Sequence, residues 1–571
     1  MTTEPEAVRP RLRPGVAVTP LREGLHLRGR DASLTLEGSR SLPALWQVLA
    51  ARLGPDADAD ADAERQPDAG PDADAGPDPE PADAAGEPEL AAALATVTAR
   101  LREHGLLVDH PDGARLPPWP GSVADDPGGA AAALAAAHPV VAAADPDGPL
   151  ARAVVRALAR GGTRAPAVVA EPGLPAGRVV ATADDPAARA VAVAVQLGAD
   201  GGFVTEPADP ARARTDATAV AARLGLDPGA EPPAALLALL AAAGAQRLLC
   251  AVAGLPDPAE PADDPRLLAG RPAVLIAEAR PPRAEHHPWA AGPGAVAAPP
   301  GDLAEALRRV NALGDPRLGV LDAPSPGDLP QLPVALVFCD SPSGLLVAGA
   351  ARTDLARLAA ACRSAELHLA ALGGGTVPVV GADPGHALGR ALRRAVLGRP
   401  VRGERVVPQS AWRDHPQAGH WCGVLARRLD RKPDLTISQL SSERVYLAQV
   451  EGVRAVEATP ADAVAHAALA VLTRLLARDG GLVAAHHAAL SGAAAPLAAA
   501  GRTPAAWADP GWADRWLAEV AAREADLHAV LVRLTGLRTT RWQPATPEAR
   551  PYADALDGCG FTALVTEEGR P

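Results

Sequence analysis

The sequence predicts a multidomain α/β protein, and three observations carry that expectation. The chain has 571 residues, 48% of them hydrophobic, which is several domains' length with ample material for cores. Its opening alternates apolar and polar residues in short runs and then shifts to helical apolar spacing. From about residue 115 onward, short apolar runs alternate with Ala-rich helical stretches, the pattern of strands and helices packed in layers.

Composition narrows the function classes. The 55 basic residues include a single Lys, Lys432, and Ala and Val stand throughout where more distinctive apolar residues would be. The net charge of −13 is concentrated: residues 55–89 hold 13 acidic residues and one Arg, −12 by themselves. That Pro/Asp/Ala stretch cannot bury a core and reads as a disordered, self-repelling linker. The rest of the chain is close to neutral, with no basic field for nucleic acid. Cys250, Cys339, Cys362, Cys422 and Cys559 lie far apart without a CxxC pair, which argues against a disulfide framework or a thiolate zinc site. The N-terminus lacks a basic-then-apolar signal and the Ala-rich runs are weakly apolar, so the expectation is a soluble, cytoplasmic protein with no membrane segment.

The elements follow in order. "GLHLRGRDASLTLEG" (24–38) reads as a β-hairpin: Leu25 and Leu27 alternate with His26 and Arg28, and Leu34 and Leu36 with Ser33 and Thr35. "GVAV" (15–18) offers a third strand. "SRSLPALWQVLAARL" (39–53) spaces Leu42, Leu45, Trp46 and Leu49 as a helix. Beyond the acidic stretch, "ELAAALATVTARLREHGLLVD" (89–109) is a longer amphipathic helix with Leu90, Leu94, Val97 and Leu101 on its apolar stripe, stopped by Gly105.

This order of three strands, a helix and a terminal "LREHGLLVD" resembles the PqqD-like winged-helix recognition element of ribosomal peptide natural-product pathways, placed here at residues 1–112. The resemblance implies a domain that binds the leader of a precursor peptide as an added strand. On that reading Ala32, Ser33, Leu34, Thr35 and Leu36 supply the edge, since a helix follows the strand directly and nothing local in sequence covers its outer side. Leu94, Val97 and Leu101 would floor the groove. A DNA-binding winged helix is the alternative, and the absence of a basic recognition helix counts against it.

Residues 115–293 supply strand candidates in "HPVVAAAD", "APAVVAE", "RVVATAD", "GGFVTE", "QRLLCAVAG" and "AVLIAEARP", with "GPLARAVVRALARGG" among the helices between them. The alternation predicts a doubly wound α/β sheet. Where a dinucleotide fold would carry Gly-x-Gly-x-x-Gly, the chain reads "AAADPDGPLARAVVRAL", with Gly148 alone and no phosphate cradle. The block, including "LLCAVAGLPDPAEPADDPRLLAGRPAVLIAEARPPRAEHHPWAAGP" (248–293), resembles a degenerate ThiF-like domain of the ocin-ThiF-like proteins that accompany azoline-forming cyclodehydratases in thiopeptide and related clusters. It lacks the zinc cysteines of some relatives.

Residues 294–571 are similar in places to a YcaO-type domain, in "GDPRLGVLDAPSPGDLPQLPVALVFCDSP", "GLLVAGAARTDLARLAAACRSAELHLAAL" and "PDLTISQLSSERVYLAQVEGV" (433–453). An active YcaO domain binds ATP and magnesium through several acidic and Arg residues. Here the matching helices offer Glu366 and Asp462 amid Ala, so the expectation is a degenerate scaffold.

Other clusters have plain readings. "EHHPW" (285–289) is expected as a solvent loop, "DHPQAGHWC" (414–422) as a loop without a metal, and His486–His487 as helix surface. Trp507, Trp512 and Trp516 are expected as core or interface anchors. Asp340 and Ser341 lack a triad pattern. The combined expectation is a non-catalytic partner with no cofactor or metal of its own, which delivers a precursor leader to a separate YcaO cyclodehydratase carrying the ATP and magnesium; a homodimer is allowed. Two alternatives remain open: an active, divergent ATP-dependent cyclodehydratase, and a winged-helix transcriptional regulator.

Overall fold

The computed structural model describes residues 8–30, 32–38, 42–53, 87–111, 118–226, 232–260, 264, 266–268, 270–290, 292, 296–373, 377–399, 405–440, 444–501 and 513–567. The acidic stretch, apart from its last three residues, lies outside them, as do Trp507 and Trp512. The architecture is mixed α/β. The chain forms two compact units, one of residues 1–199, 206–213 and 228–258, the other of residues 200–205, 214–227 and 259–571.

The first unit opens with the hairpin, third strand and two helices read from the sequence, and adds two strands that were not, Val8–Leu12 and Leu107–Pro111. Strands β1 (Val8–Leu12), β2 (Ala17–Leu21), β3 (Gly24–Arg28) and β4 (Ser33–Glu37) are followed by helices α1 (Leu42–Leu53) and α2 (Glu87–Glu103) and by β5 (Leu107–Pro111). β2, β3 and β4 form an antiparallel sheet in that spatial order, and β5 pairs with β1. Alternation does the sorting: Leu25 and Leu27 are buried with Leu49 and Leu53 of α1 and Leu94, Val97 and Leu101 of α2 in one small core. Gly105, at φ +62°, ends α2, and the Leu106 N–H returns to the Leu101 carbonyl at 2.9 Å.

Downstream in this unit, β6 (Val140–Ala143) runs parallel to β7 (Ala167–Ala170) across the helix Pro149–Arg160, and antiparallel to β8 (Arg178–Asp184). β8 pairs antiparallel with β9 (Ala190–Leu197). The doubly wound sheet expected from the alternation is therefore corrected. One pair is parallel, and β8 and β9 join through a tight turn with no helix between them. "QRLLCAVAG" is corrected too: it is the end of the helix Ala234–Val252, not a strand.

In the second unit β10 (Gly201–Val204), β11 (Ala273–Ala279) and β12 (Pro282–Pro288) are consecutive antiparallel partners. "EHHPW" thus lies largely on β12 rather than in a loop. The remainder holds a three-stranded sheet (335–339, 346–350, 486–489), a four-stranded antiparallel sheet (405–406, 435–439, 446–450, 453–457) and a third sheet built from 379–381, 538–541 and 562–567. Long helices, Thr353–Gly373, Pro460–Asp479 and Ala513–Thr535 among them, share one large core with these sheets. Ala234–Val252 and Pro460–Asp479 have the length and apolarity of a membrane span, but their most apolar stretches are 56% and 78% buried inside the protein. All five cysteines are free; burial pushes the Cys339, Cys362 and Cys559 thiols up to about 12.

Candidate peptide-binding edge

Among the described residues β4 has β3 as its one strand neighbour, and no strand pairs with its other side. Two hydrogen bonds set the phase of the ladder. The Gly29 N–H donates to the Ala32 carbonyl at 2.9 Å, and the Gly38 N–H to the Glu23 carbonyl at 3.1 Å. In an antiparallel pair, bonded and non-bonded positions alternate. Ala32, Leu34 and Leu36 therefore turn their main-chain groups toward β3, and Ser33, Thr35 and Glu37 turn theirs outward. Sequence alone could not say whether Ser33 or Thr35 faces the edge; the ladder shows that both do. Their side chains are exposed, whereas Leu34 and Leu36 are half-buried against the core. Thr35 is steadied from across the ladder by His26, whose Nδ1 lies 2.8 Å from Oγ1.

The opposite edge, β2, carries a proline at its rim. The same phase puts Val18 and Pro20 outward. Pro20 has no N–H, so it costs the β2–β3 ladder nothing and removes a donor from the rim. Between β3 and β4 the backbones approach so closely at Gly24 that a Cβ there would lie 2.0 Å from the Leu36 carbonyl oxygen.

The apolar half of the reading is distributed differently from the expectation. Leu94, Val97 and Leu101 are 5%, 8% and 0% exposed and lie inside the core rather than on an open surface. Leu90, one turn earlier on the same stripe, is 43% exposed. A pocket of about 320 Å³ opens at the start of β4, lined by Ala32 and Gly29 with Arg13, His104 and Leu106. Arg13 is anchored there, donating to the Gly105 carbonyl at 2.8 Å and to Asp125 at 2.9 Å.

The carboxylates of the third region have closed surroundings. Glu366 is fully buried among Arg363 at 2.8 Å, Arg390 at 2.9 Å and Arg394 at 2.5 Å. Burial alone would raise its carboxyl; the three guanidiniums outweigh burial and hold it below the usual range. Asp462 accepts from Trp516 Nε1 and from Arg523, both at 2.8 Å. Arg393 bridges two carboxylates, Glu457 and Glu524, each at 2.6 Å. Against burial, Arg393 and His528 bring Glu524 down to about 2.

"DHPQAGHWC" is corrected from a loop to the start of the helix Pro416–Arg428, with His415 at its N-cap and Pro416 at its first position. His486–His487 open a strand, not a helix surface. Trp516 is buried, on the helix Ala513–Thr535. Among the described residues, no three His, Cys, Asp or Glu side chains are grouped to hold a metal ion. At the helix Pro149–Arg160, where a phosphate cradle would be, Asp145 occupies the approach: its carboxylate accepts the Asp147 N–H and its carbonyl the Gly148 N–H, both at 3.1 Å.

No protein-family model matches this sequence. No curated protein matches it either. Among solved structures, the chain is similar to a heterocyclase described in complex with substrate and cofactor, at 11% identity and a TM-score of 0.48. It is also similar to the heterocyclase TruD, at 12% identity and a TM-score of 0.42. Each comparison covers 98% of this chain and 94% of the other.

Proposed function

We propose that this chain is a non-catalytic recognition partner: residues 1–112 capture the leader of a ribosomal precursor peptide as a strand on β4 and present it to a YcaO-type cyclodehydratase. That separate enzyme forms azolines from Cys, Ser and Thr at the expense of ATP. The observation that carries the reading is the asymmetry of the N-terminal sheet. β4 offers three consecutive outward main-chain positions, Ser33, Thr35 and Glu37, while Pro20 blunts β2. An added strand would draw its affinity from those groups and its specificity from the pocket beside Ala32 and the exposed Leu90. Leu94, Val97 and Leu101 act from beneath, by holding Leu34 and Leu36 in place. Tethering then makes each reaction on the downstream peptide nearly intramolecular. The resemblances of 115–293 to ThiF-like domains and of 294–571 to YcaO domains fit a scaffold, in a cytoplasmic assembly. The ion-paired Glu366 and Asp462 agree with that role.

The test is binding of fluorescein-labelled leader peptides of ribosomal azoline precursors to the full chain, followed by anisotropy. Ser33→Pro and Thr35→Pro should each weaken binding at least tenfold, about 1.4 kcal/mol. Both remove an outward donor, so the β3–β4 ladder keeps its hydrogen bonds and circular dichroism should be unchanged. Leu34→Pro would break the ladder itself and is the control for misfolding. Binding that survives both outward prolines in folded protein places the peptide elsewhere. Retention of DNA would favour the regulator, and cyclisation by this chain alone with ATP the enzyme.

A further inference from the structure

We propose that the second unit carries a separate binding site, an apolar pocket that takes an aromatic side chain together with the main-chain amide beside it. The pocket measures about 450 Å³, within the roughly 300–1,000 Å³ common for small-ligand sites. Its walls are Trp289, Val320, Pro547 and Pro551. The Trp289 indole is fixed, because Nε1 donates to Asp216 Oδ1 at 3.0 Å. Two proline rings and an indole present flat, rigid apolar faces, which suit a planar ring.

The polar groups at this pocket are Arg550 and Asp554, one turn apart on the helix Arg550–Gly558, with Arg223 beside them. Arg and Asp at this spacing ordinarily pair. Here no hydrogen bond or ion pair joins them, and neither has another such partner among the described residues. Arg223 is already committed, donating to the Gly319 carbonyl. Burial, with the nearby Asp557 charge, pushes the Asp554 carboxyl above its usual range although the Arg550 charge opposes them; the two groups attract without a hydrogen bond between them. A guanidinium without an acceptor and a carboxylate without a donor are the complement of one amide: its carbonyl accepts from Arg550 and its N–H donates to Asp554. The ligand class is therefore an aromatic residue in amide linkage, either within a peptide or as a free amino-acid derivative. The site is remote in sequence from β4 and stands whether or not β4 binds a leader.

Calorimetric titration of the full chain tests this with four probes: N-acetylphenylalaninamide, N-acetylalaninamide, free phenylalanine and acetyl-Gly-Phe-Gly-amide. The phenylalanine amide should bind one to one and at least fivefold tighter than either the alanine amide or free phenylalanine. Arg550→Met and Asp554→Ala should each weaken it at least fivefold. Ala222→Trp, which fills the pocket from the helix Pro210–Leu224, should abolish it in protein that melts as the parent does. If that variant does not fold, the two helix variants decide. A capped tripeptide at least fivefold tighter than the single residue identifies a peptide source; equal affinity identifies a free derivative. Equal binding of the phenylalanine and alanine amides, no saturable binding, or no effect of the variants overturns the site.

Discussion

At β4, Ser33, Thr35 and Glu37 leave main-chain donors and acceptors facing water. Around Arg393, every charge is met at hydrogen-bond distance: Glu457 and Glu524 at 2.6 Å, and Glu457 again by the Gly492 N–H at 2.9 Å. The first arrangement is cheap to leave open because water satisfies it, and a peptide can exchange places with that water for little cost. The second cannot be opened cheaply, because an unpaired charge in that interior has no solvent to turn to. On the proposed reading, recognition belongs to the open edge and rigidity to the closed cluster. Substitutions should therefore separate binding from stability.

The largest expected effect is at the cluster. Arg393→Met leaves two buried carboxylates facing each other and should cost about 3–5 kcal/mol of stability in urea unfolding. A loss under about 1 kcal/mol would mean that water already reaches the cluster. A second effect is pH-dependent. Burial, then the nearby Arg390 charge, lowers His386 to about 3 from an ordinary 6.5, with Glu524 opposing. The unfolded chain takes up this proton first, so the contribution is fully present above pH 6.5 and is lost as pH falls toward 3. One such group gives a slope approaching about 1.4 kcal/mol per pH unit. Urea midpoints between pH 6.5 and 5, above the range where Glu524 titrates, should fall less steeply for His386→Gln, by one proton's worth. Identical slopes would locate the pH dependence in other histidines. The smallest effect sharpens the edge comparison. Pro20→Val restores a donor to β2 and should change peptide affinity at β4 less than twofold; a gain of tenfold would show that the peptide uses β2.

The N-terminal hairpin and the two helices were legible because each repeats its signal, whereas the strands Val8–Leu12 and Leu107–Pro111 carry no such repeat and were not read. Leu25/Leu27 and Leu34/Leu36 keep strict alternation, and Leu94/Val97/Leu101 keep helical spacing. The Pro20–Thr35 contrast was not legible, since main-chain direction depends on ladder phase, which two hydrogen bonds from glycines decide. "QRLLCAVAG" misled because a short apolar run fits a strand and a helix end equally well. β8 and β9, rich in Val and Ala, gave no cue to their antiparallel pairing. The Arg393, Glu457 and Glu524 cluster is assembled from three distant segments, so no local spacing announces it. The pocket at Arg550 and Asp554 was hidden for the opposite reason: the i,i+4 pattern suggests a pair that does not form.

Pro20 also bears on assembly. In the language of polymer chemistry, a sheet with two reactive edges is a bifunctional monomer, and edge-to-edge addition continues without limit. With one edge short of a donor at Pro20, the sheet has one strong reactive edge and approaches the monofunctional case. Two molecules joining at β4 would consume both reactive ends, and growth would stop at the pair. On the proposed reading, a single pyrrolidine ring would thus work as a chain terminator, leaving the open edge adhesive toward a peptide without making the protein prone to grow into a fibre.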